Sequence, residues 1–118
     1  MPVYRKYRNV PTVHDGIRFH SKGEAKRYAE LKLLQKAGKI DQLKLQPAFP
    51  MWVNRELVCT YIADFEYAAK EKDGWVRVVE DFKGKETPEY KIKKKLFKAL
   101  YGWLRFVESR ATSTGRRS

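Results

Sequence analysis

A chain of 118 residues has the length of one domain with a single modest core. Its 42% hydrophobic content and sixteen aromatic residues (six Phe, seven Tyr, three Trp) exclude a disordered basic protein, and the net charge of +12 points to a polyanionic partner. The lone cysteine excludes an intrachain disulfide framework and a cysteine-rich zinc site.

In chain order, "MPVYRKYRNVPTVHDGIRF" is a basic, aromatic arm followed by a short strand or hairpin, punctuated by Pro11 and Gly16. "HSKGEAKRYAELKLLQKAGKI" opens a helix: Ser21 and Glu24 have the spacing of a capping box, and Gly38 stands where a helix stops. "DQLKLQPAFPMWV" alternates polar and apolar residues up to Pro47 and Pro50, which predicts a broken or edge strand. "RELVCTYIADFEYAAKE" reads as one longer strand, in which Cys59 is a buried structural thiol. "KDGW" supplies an Asp-Gly turn, and "WVRVVEDFKG" returns as the partner strand.

"TPEYKIKKKLFKALYG" is the second helix, with Thr87 as N-cap, Pro88 at the first position and Gly102 past the end. Ile92, Leu96 and Ala99 form its apolar stripe. "WLRFVES" is a last strand and "RATSTGRRS" falls in the tail. The expected class is α/β, a mixed central sheet flanked by helices in the order α-β-β-β-α-β. Residues 1–110 form one domain and 111–118 a basic, disordered tail. No apolar run approaches the roughly 20 residues of a membrane span, and the first residues lack the apolar core of a signal peptide. A cytoplasmic protein is expected.

The candidate chemistry lies in "YIADF" and "VVEDFKGK". Strand alternation puts Asp81 and Lys83 on one face, with Phe82 turned to the other. If the turn pairs the two strands, Asp64 comes near Asp81 across the ladder. Two aspartates that close repel unless a divalent cation bridges them. A lysine beside them can then position a water, which suits metal-assisted phosphodiester hydrolysis. On the motif alone, a solvated ion pair at a strand end is the favoured reading; Asp64, which interrupts the otherwise apolar run of "YIADF", turns the balance toward a site. Glu80, on the Val78 and Phe82 face, ranks second to Asp81 as a surface or interface residue.

These segments, with an acid on the first helix and a basic second helix, resemble the PD-(D/E)xK nuclease superfamily over roughly residues 4–108. Within it the likeness is to small phage-encoded endonucleases akin to Holliday-junction resolvases. The resemblance implies a restriction-endonuclease-like core and a DNA endonuclease leaving 5′-phosphate and 3′-hydroxyl ends. It matches Asp64 to the first acid, Asp81 to the (D/E) and Lys83 to the lysine; Ala63 stands where the superfamily's name has proline. It also implies Mg²⁺ or Mn²⁺ held by Glu24, Asp64 and Asp81 with the carbonyl of Phe82. For Glu24 a cap-only role remains the alternative, although Tyr28 and Leu31 share its face and turn it inward.

Lys91, Lys93, Lys94, Lys95 and Lys98 crowd the second helix. With Arg5, Lys6 and Arg8 of the arm they read as a phosphate-tracking surface, the bland alternative being a solvated face. Gln46 could reach the site from a neighbouring strand or, equally, be a plain strand-end amide. His14 and His20 add no metal spacing. Branched DNA is the expected substrate and a homodimer the expected assembly, with Phe49, Met51 and Trp52 either as interface material or, equally, as residues that close the sheet edge. The alternative function is a non-catalytic DNA-binding or phage regulatory protein on the same fold. A phage-encoded chain would act in a bacterial cytoplasm.

Overall fold

The computed structural model describes residues 12–14, 16–82 and 86–110. Arg5, Lys6, Arg8, Lys83 and the 111–118 tail lie outside the described residues. A small hairpin, β1 (Thr12–His14) and β2 (Ile17–Phe19), precedes helix α1 (Lys22–Lys36). Ser21 caps α1 by accepting from the Glu24 backbone N–H at 3.1 Å, and Gly38, at φ +80°, ends it.

The chain then makes one long bent hairpin. Its outbound arm is β3 (Ile40–Leu45) and β4 (Ala48–Val53); its return arm is β5 (Glu56–Ile62) and β6 (Phe65–Glu71). The turn is Asn54-Arg55, both at positive φ, as a hairpin turn of that hand requires. The run from Arg55 to Glu71, expected to be one strand, is therefore two strands in different sheets. The bend falls where Gln46 adopts φ +50° and Pro47 lacks an N–H. Two backbone bonds carry the pairing across it, Gln46 N to Asp64 O and Ala63 N to Pro47 O.

Strand β7 (Gly74–Phe82) pairs antiparallel with β6, then α2 (Pro88–Leu100) leads to β8 (Arg105–Ser109), which runs parallel to β7. The central sheet is thus mixed and four-stranded, in the order β3-β6-β7-β8, while β4-β5 forms a separate ribbon. The order of one helix, three strands, one helix and one strand holds for the central sheet, with β4-β5 as an excursion from it.

Each sheet face has its own core. On the α1 side lie Phe19, Tyr28, Leu31, Phe65, Tyr67 and Val78; on the α2 side Met51, Tyr61, Ala63, Val79 and Phe97. Of the expected stripe on helix α2 only Leu96 packs against the core; Ile92 is 70% exposed, Ala99 is exposed, and Phe97 is the buried anchor. Ring packing decides this: Phe97 stacks on Tyr61 at 4.8 Å and meets Phe49 edge-on at 5.0 Å. Met51 is fully buried and Phe49 packs beside it, so both close the ribbon onto α2 within the protomer. Of the three residues expected at an interface, only Trp52 is largely exposed.

The first turn of α1 touches the end of β7 at Gly23, where a Cβ would lie 2.4 Å from the Phe82 ring. Gly→Ala inside a helix usually stabilises by about 1 kcal/mol. Gly23→Ala is expected to do the reverse and cost about 1–2 kcal/mol, because the ring or the helix must move. Urea denaturation checks this, and an unchanged or raised midpoint would refute the contact.

Candidate active site at the end of the central sheet

The β6-β7 register runs without a slip from Glu71↔Gly74 to Phe65↔Glu80. Its turn is centred on Lys72-Asp73, one residue earlier than the Asp-Gly pair suggests, with Gly74 at φ +131°. That register puts Asp64 directly across from Asp81, one step beyond the last pair. Two hydrogen bonds lock them. The Asp64 backbone N–H donates to Asp81 Oδ1 at 2.9 Å, and the Phe82 N–H donates to Asp64 Oδ2 at 2.7 Å. Each aspartate thus holds the other's strand.

Helix α1 brings the third carboxylate. Glu24 is only 5% exposed and its side chain turns inward beside Asp64. Its backbone N–H serves the cap while its carboxyl faces the aspartates, so cap and inward placement coexist. His20 Nδ1 stands 3.8 Å from Glu24 Oε1. Burial, then the charge of Asp64, pushes the Glu24 carboxyl up to about 7, and a hydrogen bond between the two favours the proton on Glu24. Burial also raises Asp64, against the opposing Phe82 N–H, and lifts Asp81 to about 6.

A cleft of about 150 Å³ opens on this group, lined by Ile17, Arg18, Glu24, Gln46 and Asp64 among others. Gln46 therefore lines the same cleft as Glu24 and Asp64. On the α2 side the Tyr61 hydroxyl donates to Asp81 Oδ2, and the Tyr90 hydroxyl lies close by. Tyr90 donates to Glu108 Oε2 at 2.7 Å, and Lys94 Nζ lies 2.9 Å from both Glu86 and Glu108. Lys94, expected on the DNA-facing surface, is instead engaged by acids of the fold. Lys91, Lys95 and Lys98 remain exposed. The sequence's signal for Tyr61 is its strand parity with the inward Cys59. Arg18 carried no signal.

Glu80 is not at the surface. It is wholly buried on the α1 face, where Arg27, Tyr67 and Ser109 all donate to it. Burial pushes its carboxyl up, but those hydrogen bonds more than reverse the effect.

Among the described residues, no three His, Cys, Asp or Glu side chains are gathered closely enough to hold a metal ion as they stand. In donor chemistry Glu24, Asp64 and Asp81 do fit a hard divalent cation. They are oxygen donors with acceptor capacity beyond the bonds they accept, and their raised proton affinity is what a nearby cation would relieve.

Fold and site together define a small α/β protein with a buried carboxylate group at the end of a mixed four-stranded sheet. A family model described as "Protein of unknown function (DUF1064)" matches residues 4–113, and the chain belongs to that family. No curated protein and no solved structure matches it. Among the described residues no helix is long and apolar enough to cross a membrane.

Proposed function

We propose that the chain is a metal-dependent endodeoxyribonuclease of the PD-(D/E)xK type. The observation that carries this reading is the reciprocal Asp64–Asp81 lock at the end of the β6-β7 hairpin, with Glu24 delivered beside it by α1. Three acids brought together under burial disfavour one another, an arrangement typical of sites built for chemistry. The order of elements around the central sheet supports the same superfamily.

Mg²⁺ or Mn²⁺ would be held by Glu24, Asp64, Asp81 and the Phe82 carbonyl. When bound, it would polarise the phosphate and lower the pKa of the attacking water. The protein's own part is positioning. The two backbone-to-carboxylate bonds fix both aspartates, Tyr61 steadies Asp81, and the exposed lysines of α2 attract phosphates. Lys83 is assigned to orient the water. Branched DNA is the proposed substrate, cut to leave a 5′-phosphate and a 3′-hydroxyl, and the homodimer remains the proposed assembly.

The test is incubation with labelled linear, flapped and four-way DNA in Mg²⁺ and in chelator. Cleavage in Mg²⁺, faster on the branched forms and abolished by chelator, is expected. Glu24→Gln should lose activity beyond what its melting shift explains. Cutting that survives excess chelator would sink the metal mechanism. DNA binding with no cutting in any divalent metal would leave the non-catalytic reading.

A further inference from the structure

Along the inner side of α2 runs a file of aromatic rings that begins at the carboxylates and ends in solvent. Tyr61, whose hydroxyl holds Asp81, stacks on Phe97; Phe97 stacks on Tyr101 at 5.1 Å; and Tyr101 meets Trp103 at 5.2 Å. The last ring is 73% exposed. Tyr101 beneath it is fixed by its hydroxyl, which donates to the Pro50 carbonyl at 2.7 Å, and by Phe49 against its edge. Phe49, Tyr101, Trp103 and Leu104 line an open cleft of about 330 Å³. Glu66, the acid in its wall, is held by Arg77 at 2.8 Å, so the cleft presents ring faces with no uncompensated negative charge.

The outer side of the same helix is basic. Lys91, Lys95 and Lys98 are exposed at i, i+4 and i+7 and form one stripe, about 10 Å from first to last. The stripe starts beside Tyr90 at the carboxylate end and runs out at Gly102, next to Trp103. A charged track beside a fixed, exposed aromatic face is how proteins hold single-stranded nucleic acid. Duplex DNA offers only base edges in its grooves, since its base faces are covered by neighbouring bases. An exposed indole face therefore discriminates in favour of unpaired bases.

We propose that Trp103 and Tyr101 form a stacking platform for an unpaired base of single-stranded DNA, whose phosphates follow Lys98, Lys95 and Lys91 toward the carboxylates. The choice of DNA and the direction of the track rest on the nuclease reading; the platform rests on the rings and lysines alone. It makes a single-stranded arm, as in a flap or an opened junction, the feature that selects the substrate.

The experiment uses the full chain in chelator, so that binding is read whether or not the protein cuts. The probe is oligothymidylate of about a dozen nucleotides, within the site sizes seen for single-strand binders, beside a duplex of equal length. Trp103→Ala is expected to weaken binding of the single strand about ten- to hundredfold, with duplex binding unchanged and the melting temperature preserved. Trp103→Phe should keep most of the affinity. Tryptophan quenching by oligothymidylate should vanish in Trp103→Ala and survive in Trp52→Ala. Changing Lys91, Lys95 and Lys98 to Gln should flatten the salt slope by about 2 on the single strand.

Single-strand binding unaffected by Trp103→Ala would overturn the platform, as would equal losses on both probes. A self-association that Trp103→Ala abolishes without DNA would assign the patch to a second copy instead. Tighter binding of oligouridylate than oligothymidylate would overturn DNA as the ligand. A chain that binds through Trp103 yet never cuts would refute the nuclease reading and leave the platform standing.

Discussion

Asp81→Asn should reduce cleavage at least a thousandfold, about 4 kcal/mol of barrier, while making the metal-free chain more stable above neutral pH. The two effects share one cause. Asp81 is 6% exposed and is raised from 3.8 to about 6, chiefly by burial; Glu24, raised from 4.5 to about 7, lies in the same group. Both carboxyls bind protons more tightly folded than unfolded. Their contribution to stability is therefore full below about pH 4 and is lost as pH rises through about 6 and then about 7. For Asp81 alone the loss is on the order of 3 kcal/mol at 1.36 kcal/mol per unit. In chelator the melting temperature should fall between pH 5 and pH 8, opposite to the trend set by carboxylates in favourable ion pairs. Asn at position 81 can still accept from the Asp64 N–H and can donate to the Tyr61 hydroxyl. It removes the charge without opening the site, and the fall with pH should shrink. Wild-type cleavage by Asp81→Asn would remove the residue from the mechanism. A melting temperature that rises across that window would refute the buried-acid account.

What the sequence discloses is the part governed by local periodicity. The strand run and the alternation around Asp81 place Asp64 and Asp81 near each other at one end of a hairpin, but the exact pairing is set by the turn. An Asp73-Gly74 turn would put Glu66 across from Asp81, and the turn at Lys72-Asp73 puts Asp64 there instead. The caps at Ser21 and Thr87 are likewise local, and both side chains accept the expected backbone N–H. What stays hidden depends on distant partners. The break between β5 and β6 has no Gly or Pro of its own; its signal is Pro47, opposite on the other arm. The buried face of α2 is chosen by Tyr61 and Phe49 rather than by its own apolar count, so Phe97 goes in and Ile92 stays out. Glu80 looks like a surface charge because its principal partner, Arg27, lies 53 positions earlier. A charge on an apolar strand face signals a buried partner as readily as solvent, and only the fold decides between them.

That partner makes Glu80 the residue whose loss should cost the fold most. It has no exposed surface, and it receives Arg27 Nε at 2.6 Å, Arg27 Nη2 at 3.1 Å, the Tyr67 hydroxyl at 2.6 Å and Ser109 Oγ at 2.6 Å. One carboxylate thereby joins α1, β6 and β8 to β7. Removing it leaves two hydroxyls and a cavity without compensation, and a guanidinium that keeps only Glu30 as an acidic partner. Breaking one side of such a pair costs about 3–5 kcal/mol, a large share of the roughly 5–15 kcal/mol that holds a domain together. Glu80→Ala should therefore lower the urea midpoint sharply or prevent folding. Glu80→Gln, which keeps the shape and loses the charge, should fall between it and the wild type. The double change Arg27→Met with Glu80→Met replaces both charges by apolar groups and should recover much of the loss, because the cost lies in the unpaired ion. Activity should follow the same order, since Arg27 sits one turn beyond Glu24 on α1 and anchors that helix to the sheet. A midpoint for Glu80→Ala corresponding to less than about 1 kcal/mol of destabilisation would show that water or another side chain serves Arg27 in its place.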